Sequence, residues 1–252
     1  MQKLEESSVS ETMVGLIGGM SWESSAQYYR LINEQVREAH GGMHSARLLL
    51  WSFDFAQIEA LQATGDWDGA GTLLVDAAQR LERAGASAVV ICTNTMHRLA
   101  DTVQAAIGIP LLHIADPTGT AVKAAGIQRI GLLGTAFTME HAFYTGRLEQ
   151  QHGLQVVVPH AEDRALVHRV IYEELVRGRV LPASREAYRA VMQRLVQRGA
   201  QGIILGCTEI MLLVADEDAS VPLFDTTALH AQAAAQHLLA QRSAATGKPI
   251  HR

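Results

Sequence analysis

The sequence predicts an α/β fold with two similar lobes, each a mostly parallel sheet flanked by helices, related by a pseudo-twofold axis. Short continuous apolar segments alternate with longer segments of helical periodicity, which is typical of a parallel sheet covered on both faces. Three segments of the first half recur, in the same order, in the second half. This duplication predicts two lobes with a cleft between them.

Apolar segments rich in valine, leucine and isoleucine predict the strands, because a strand that is buried on both faces has no polar side. The predicted strands span residues 13–19, 46–53, 86–92, 109–114, 129–134, 154–159, 201–207 and 221–225. Helical spacing of apolar residues predicts helices between them, and the clearest span residues 25–40, 70–85 and 185–199.

The internal repeat consists of three pairs of segments. The first pair is VGLIGGMSWESSAQYYRLINEQ, which begins at Val14, and IGLLGTAFTMEHAFYTGRLEQQ, which begins at Ile130. The others are RAGASAVVICTNTM with RGAQGIILGCTEIM, and IPLLHIAD with VPLFDTTA. Any two strand–helix units share composition, but three matches in one order at a nearly constant offset indicate duplication.

The repeat also sets the predicted domain boundaries. The first lobe comprises residues 13–115 and 226–240, and the second comprises residues 116–225. Polar composition predicts a flexible N-terminal extension over residues 1–12 and a flexible tail over residues 241–252.

Composition and charge argue against several classes of protein. Hydrophobic residues make up 48% of the 252 positions, and the formal net charge is -5. The acidic balance argues against nucleic acid as the main partner, and no apolar segment approaches the roughly 18 residues that would span a membrane. The polar N-terminal segment does not resemble a secretory signal, so we expect a cytoplasmic protein with free thiols.

The two cysteines, Cys92 and Cys207, occupy equivalent positions of the repeat. Each follows an apolar strand and precedes threonine, in VVICTNTMH and IILGCTEIM. Ligands of parallel sheets bind beyond the carboxyl ends of the strands, so both thiols are predicted to approach one cleft. Thr93, Asn94 and Thr208 are expected to cap helix starts, whose amides would favour a thiolate or bind a carboxylate.

Two facing thiols suit inversion at a carbon atom. One thiolate removes a proton from one face, and the other thiol delivers a proton to the opposite face. A buried cysteine can serve packing alone, but the polar residues shared by both motifs favour chemistry. Redox pairs are usually closely spaced, and these two cysteines are not. His97, His113 and Glu209 lie near the cysteines in sequence but give no metal-ligand spacing, so no metal is expected.

The motifs CTNTMH and GCTEI resemble those of the cofactor-independent aspartate/glutamate racemase superfamily. IGGMSWESSAQYYRLINE resembles the bacterial branch that includes broad-specificity amino acid racemases. The similarity runs from Met13 to Leu239 and includes FDTTALHA near its end. It implies a two-lobe α/β fold, an active site between the lobes, Cys92 and Cys207 as catalytic residues, and neither pyridoxal phosphate nor another cofactor.

The resemblance also implies substrate-binding residues at the ends of several strands. These are Met20, Ser21, Ser52, Gln57, Thr93, Asn94, Thr95, Thr135, Arg164, Thr208 and Glu209.

Three positions depart from the pattern of the superfamily. No arginine stands between Ser52 and Gln57, where relatives place a side-chain contact, and this predicts a tolerant enzyme rather than one strict for acidic substrates. Arg164 is expected to replace a lysine of relatives, and Glu209 stands where glutamate racemases have histidine.

The resemblance implies an isomerase that inverts the α-carbon of small-molecule amino acids, either aspartate and glutamate or a broader range, and that forms a homodimer. Hydantoin racemisation, maleate isomerisation and the single-cysteine arylmalonate decarboxylation are alternative reactions of the superfamily. A two-lobe binding module is the alternative without catalysis, and it would leave the paired thiols unexplained.

Overall fold

The computed structural model describes residues 12–246 and shows eight strands and ten α-helices in that part of the chain. The strands are β1 Val14–Gly18, β2 Leu48–Ser52, β3 Ala88–Ile91, β4 Leu111–Leu112, β5 Arg129–Gly134, β6 Gln155–Val157, β7 Ile203–Gly206 and β8 Leu223–Asp225. The α-helices are α1 Trp22–His40, α2 Phe55–Thr64, α3 Trp67–Arg83, α4 Ala100–Ala105, α5 Ala115–Ala124, α6 Ala136–Glu140, α7 Ala142–His152, α8 Ala161–Glu173, α9 Pro182–Gln197 and α10 Thr226–Thr246. Residues 1–11 and 247–252, which hold most of the predicted extension and half of the predicted tail, lie outside the described residues.

The strands form two sheets of four strands each. The strand order is β2-β1-β3-β4 in the first sheet and β6-β5-β7-β8 in the second, so each strand has a counterpart in the other lobe. All pairings are parallel; Val14 of β1, for example, pairs with Leu48 and Ala88. The predicted two-lobe α/β fold is therefore confirmed, and each predicted strand is present.

Strand β4 is shorter than the predicted segment of residues 109–114. Pro110 has no N–H to donate to the ladder, although its carbonyl accepts from Val89 at 2.9 Å. Directly after β4, His113 turns the chain into α5, because its Nδ1 accepts the Ala115 N–H at 3.1 Å. The ladder is thus confined to Leu111–Leu112.

Side chains of β3 alternate between the two faces of the first sheet. Val89 and Ile91 belong to the apolar cluster that includes α3, whereas Ala88 and Val90 belong to the cluster beneath α1 and α10. Cys92 follows the same alternation of period two and falls in the second cluster. The direction of that thiol is therefore set by the strand that precedes it.

Helix α10 joins the two lobes. It begins directly after β8 of the second sheet, yet Ala231, Ala234 and Ala235 are buried in one apolar cluster with Tyr28 of α1. Small side chains let two helices approach closely, which explains the alanine-rich sequence of α10. The helix runs to Thr246, beyond the predicted boundary at residue 240. No helix within residues 12–246 has the length and hydropathy needed to cross a membrane.

The turn after β1 depends on a glycine. Gly19 has φ +82°, and a Cβ there would overlap the backbone of Phe53. We expect Gly19→Ala to lower the free energy of unfolding by about 3 kcal/mol or more, because a left-handed conformation and a backbone clash add up. The measurement is urea-induced unfolding.

The matched control for this prediction is Gly65→Ala. Gly65 also has a left-handed conformation, but a Cβ there meets nothing within 4 Å. That substitution is expected to cost about 1 kcal/mol, the strain alone. Equal losses for the two variants would show that the contact with Phe53 is unimportant.

Candidate active site

A small cavity lies between the lobes, at the carboxyl ends of the strands. Its volume of about 20 Å³ is room for one water molecule. Both lobes contribute side chains to its wall. The lining residues are Met20, Phe55, Gln62, Thr93, Asn94, Thr95, Thr135, Ile171, Tyr172, Val176, Gly206, Cys207 and Glu209.

The thiol of Cys207 forms part of the cavity wall and contacts a carboxylate. Its Sγ donates to Glu209 Oε2 at 3.0 Å, and the hydroxyl of Thr208 donates to the same oxygen at 2.9 Å. Glu209 is buried, and its other oxygen accepts from Ser21 of the opposite lobe at 2.6 Å. Burial and the negative charge of Glu209 hold the pKa of Cys207 well above its usual range, so the thiol is protonated at rest.

The turn after β1 explains how Ser21 reaches Glu209. The N–H of Gly19 donates to Ser25 Oγ at 2.8 Å, and the Ser25 hydroxyl donates to the Ser21 carbonyl at 3.0 Å. Ser21 also caps α1, because its Oγ accepts from the Ser24 N–H. Met20 lines the cavity, whereas Ser21 contacts Glu209. Ser21 therefore connects the lobes at the site.

Cys92 lies in a different environment from Cys207. It is fully buried, it is not among the residues that line the cavity, and it packs in the cluster with Tyr28 beneath α1 and α10. Its backbone is fixed by Ser24, whose hydroxyl donates to the Cys92 carbonyl at 3.0 Å. Burial raises the pKa of this thiol far above its usual range. The repeat predicts that both thiols approach one cleft; here Cys207 lines the cavity, whereas the segment of Cys92 reaches its wall through Thr93, Asn94 and Thr95, the three residues that follow it.

The polar turn after Cys92 does reach the cavity. Asn94 donates from Nδ2 to Thr226 Oγ1 at 3.0 Å, while its Oδ1 is buried and has no partner. The Thr95 hydroxyl lies 3.0 Å from the hydroxyl of Thr135, so these two side chains meet across the lobes. Thr93 completes this part of the wall. The cavity therefore presents hydroxyl groups and one free amide oxygen.

The predicted helix caps after the cysteines are wrong. Thr95–Leu99 and Ile210–Leu212 are short 3₁₀ helices, and neither has a side-chain cap. The side chain of Asn94 donates a hydrogen bond to Thr226 instead, and that of Thr208 donates one to Glu209. The backbone amides of Thr208 and Glu209 do favour the thiolate of Cys207, but burial and the charge of Glu209 outweigh them, and the pKa values of both thiols are raised.

Three predicted substrate-binding residues lie away from the cavity. Ser52, at the end of the edge strand β2, and Gln57, on the outer face of α2, are exposed. Arg164 donates to Glu140 at 2.8 Å and to the Pro159 carbonyl at 2.8 Å. The expectation that Arg164 replaces a substrate-binding lysine therefore has no support in the structure.

Sequence reasoning missed two polar residues that line the cavity, Gln62 and Tyr172. Gln62 follows Ile58 by one helical turn, and both are buried on the inner face of α2. Tyr172 of α8 donates from its hydroxyl to Gln62 Oε1 at 3.2 Å, across the lobes. Gln62 Nε2 in turn donates to Met96 Sδ at 3.0 Å. The i, i+4 spacing of Ile58 and Gln62 was the signal available in the sequence.

Three buried histidines lie beneath the turn that follows Cys92. The ring of His97 lies 4.6 Å from that of His113 and 5.6 Å from that of His230, between ring centroids. His97 accepts the Ile114 N–H on Nε2, so its Nδ1 donates to the Thr93 carbonyl at 2.7 Å. Burial lowers all three pKa values, to about 3 for His113 and about 4 for His230. Within the described part of the chain, no group of His, Cys, Asp or Glu is arranged to hold a metal ion.

The fold and the site define a class, that of two-lobe α/β proteins with a buried thiol at the cavity between the lobes. Residues 17–234 match the family model of Asp/Glu/hydantoin racemases. The match covers most of the chain, and the protein belongs to this family of isomerases.

The chain is also similar to individual proteins of this family. The chain is 56% identical to a candidate Asp/Glu racemase from Yersinia pestis, with a TM-score of 0.85 over 90% of this chain and 99% of that one. An aspartate racemase homologue from Pyrococcus horikoshii OT3 is 33% identical, with a TM-score of 0.78 over 90% of this chain and 99% of that one. The broad-specificity amino-acid racemase RacX from Bacillus subtilis is 21% identical over 92% of this chain and 100% of its own length.

Proposed function

We propose that the protein racemises amino acids at the α-carbon without a cofactor, with Cys207 and Cys92 as proton carriers on opposite faces of the substrate. The observation that carries this proposal is the thiol of Cys207, which lines the cavity between the lobes and donates to a buried carboxylate at 3.0 Å. Membership of the racemase family supports it.

The proposed reaction exchanges one proton for another. The thiolate on one side takes the α-proton, and the electron pair left on the α-carbon is delocalised into the substrate carboxylate. The thiol on the other side then gives its proton to the opposite face, so the product differs from the substrate only in configuration. The reverse reaction exchanges the roles of the two thiols.

Glu209 is proposed to assist proton transfer in two ways, through its hydrogen bond with Cys207 and through its negative charge. Its carboxylate holds the Cys207 thiol in place, and its charge helps to keep that thiol protonated. A substrate ammonium group beside Glu209 would offset this charge and so lower the cost of forming the thiolate. The unpartnered Oδ1 of Asn94 supplies a second acceptor for the ammonium group.

The substrate carboxylate is assigned to the hydroxyl groups of Thr95 and Thr135. They face each other at 3.0 Å across the lobes, and each can turn its proton towards a bound carboxylate. Donors in a dry cavity stabilise the extra negative charge that develops there when the α-proton leaves. This contribution is needed because proton transfer to a side chain supplies only about 10²–10⁴ of the rate enhancement.

Substrate entry requires the lobes to separate. A cavity of about 20 Å³ holds one water molecule and no amino acid. The contacts of Ser21 with Glu209 and of Thr95 with Thr135 therefore break on opening. They lie at the substrate, so closure around it completes the site and excludes water.

The test is a screen of the common L- and D-amino acids in heavy water. Chiral chromatography with mass spectrometry should show inversion, with deuterium at the α-carbon of the product and little deuterium in recovered substrate early in the reaction. Thiols exchange their protons with solvent after each turnover, which explains this labelling. Absence of inversion and of α-exchange with every amino acid would refute the proposed function.

The position of Cys92 favours a second candidate function that uses one thiol. Cys207 lines the cavity and Cys92 does not, as a single-cysteine decarboxylation of an arylmalonate would require. In that reaction the carbanion left by carbon dioxide takes its proton from Cys207 alone. Release of carbon dioxide from phenylmalonate, without inversion of any amino acid, would select this candidate.

A further inference from the structure

The wall of the cavity carries one charged side chain, and that charge is negative. Glu209 is the acidic residue, and no lysine, arginine or histidine is among the lining residues. The α-carboxylate and the ammonium group of an amino acid have partners in the hydroxyl groups, in Asn94 and in Glu209. A second carboxylate, on the substrate side chain, meets no positive charge in the wall.

Two arginines on segments that contribute to the cavity wall have partners of their own. Arg164 pairs with Glu140, and Arg98 lies over the ring of Trp67 at 4.3 Å. Partial burial lowers the pKa of His168, and its Nδ1 accepts a backbone N–H, so this ring is neutral above pH 7. An anionic side chain would therefore be buried without a counter-charge, and an isolated buried ion is strongly disfavoured.

Part of the cavity wall suits an uncharged group. Phe55, Ile171 and Val176 supply apolar surface, and Gln62 and Tyr172 supply an amide and a phenol from opposite lobes. The Gln62 amide donates to a thioether sulfur, which is a weak acceptor. A carbonyl or hydroxyl oxygen of a substrate is a stronger acceptor for the same N–H group.

We propose that Gln62 and Tyr172 select the substrate side chain and that the enzyme prefers amino acids with an uncharged carboxamide or hydroxyl side chain over aspartate and glutamate. This inference rests on the proposed racemase function. It narrows the substrate class by the charge of the side chain. Size does not distinguish the two groups, because the carboxylate and carboxamide forms of a side chain have nearly the same size.

The direct test compares substrates of matched shape. Glutamine and glutamate form one pair, and asparagine and aspartate form the other. We expect kcat/KM to be about tenfold or more higher for the amide in each pair, equivalent to about 1.4 kcal/mol. Equal or faster racemisation of the acids would overturn the inference and leave the racemase function intact. Absence of turnover with all four, and with every other amino acid, would refute both.

A variant tests the role of Gln62 itself. Gln62→Lys places a cation in the cavity wall, and we expect the glutamate-to-glutamine ratio of kcat/KM to rise by about tenfold or more. The control is Ala63→Lys, which adds the same charge at the next position, on the exposed face of α2. Its ratio should equal that of the wild type.

The ratio compares two substrates in one protein sample, so a loss of folded protein cancels. An unchanged ratio in Gln62→Lys would show that Gln62 does not select the side chain. A variant too unstable to assay is replaced by Tyr172→Phe. This variant keeps the ring, removes the phenol hydroxyl that donates to Gln62, and should lower the preference for the amides. An unchanged amide-to-acid ratio in Tyr172→Phe would equally overturn the assignment.

Discussion

Cys207→Ala is expected to lower amino acid racemisation by about a thousandfold, an increase of about 4 kcal/mol in the barrier. Cys207 is the thiol that lines the cavity, and without it one face of the substrate has no proton carrier. The measurement is the initial rate of inversion by chiral chromatography. A rate within tenfold of the wild type would remove Cys207 from the mechanism.

Cys92→Ala is the matched variant in the other lobe, and the same loss of inversion is expected if both thiols carry protons. The remaining thiol should still exchange the α-proton of one enantiomer, and the two variants should favour opposite enantiomers. If Cys92→Ala keeps more than about a tenth of the wild-type rate, its activation barrier has risen by less than about 1.4 kcal/mol. That result would favour a single-thiol reaction. Unchanged unfolding midpoints in urea would show that both variants are folded.

The free energy of unfolding is expected to fall steeply between pH 7.5 and pH 5.5. His97, His113 and His230 are buried and neutral, with pKa values held below the unfolded value of about 6.5. Near and below pH 6.5 the unfolded chain therefore binds more protons than the folded chain. The contribution of the neutral histidines to the free energy of unfolding is fully present well above pH 6.5. It is lost as the pH falls towards the pKa values of the folded state. Each histidine contributes a loss of about 1.4 kcal/mol at pH 5.5, or about 4 kcal/mol together.

Urea-induced unfolding at a series of pH values measures this loss. Besides burial, Arg147 and His230 lower the pKa values of His97 and His113, and His113 further lowers that of His97. Asp116 raises the pKa of His230. The control is His44→Gln, which removes an exposed histidine and should leave the pH profile unchanged. A wild-type profile that is flat between pH 7.5 and pH 5.5 would contradict the neutral, buried state of the cluster.

Much of the fold could be predicted because its signals are local or repeated. Each strand is a short apolar segment, and the duplicated order of segments requires two similar sheets. The limits of β4 were not predictable from hydrophobicity alone, since Pro110 and His113 end the ladder by backbone chemistry. The extent of α10 was also missed, because the alanine-rich sequence near its end gives no clear helix stop.

The site was predicted less completely, because its contacts join distant parts of the chain. The cysteine motifs predicted Asn94 and Glu209 and the internal repeat predicted Thr135, and the structure brings all three to one cavity. The different surroundings of the two thiols depend on tertiary packing, since Cys92 belongs to the cluster with α1 and α10 and Cys207 to the core of the second lobe. Gln62 was missed because one glutamine in a helix gives little evidence of burial without the packed partner lobe.

The hydrogen bond from Ser21 to Glu209 has a consequence for chemical durability. It ties the lobes together at the carboxylate that contacts Cys207, so the same closed state that protonates the thiol also shields it from solvent. Peroxides and alkylating agents attack thiolates that they can reach. We therefore expect resistance to such damage and admission of substrate to make opposite demands on this one interlobe contact, because the proposed opening that admits a substrate also exposes the thiol.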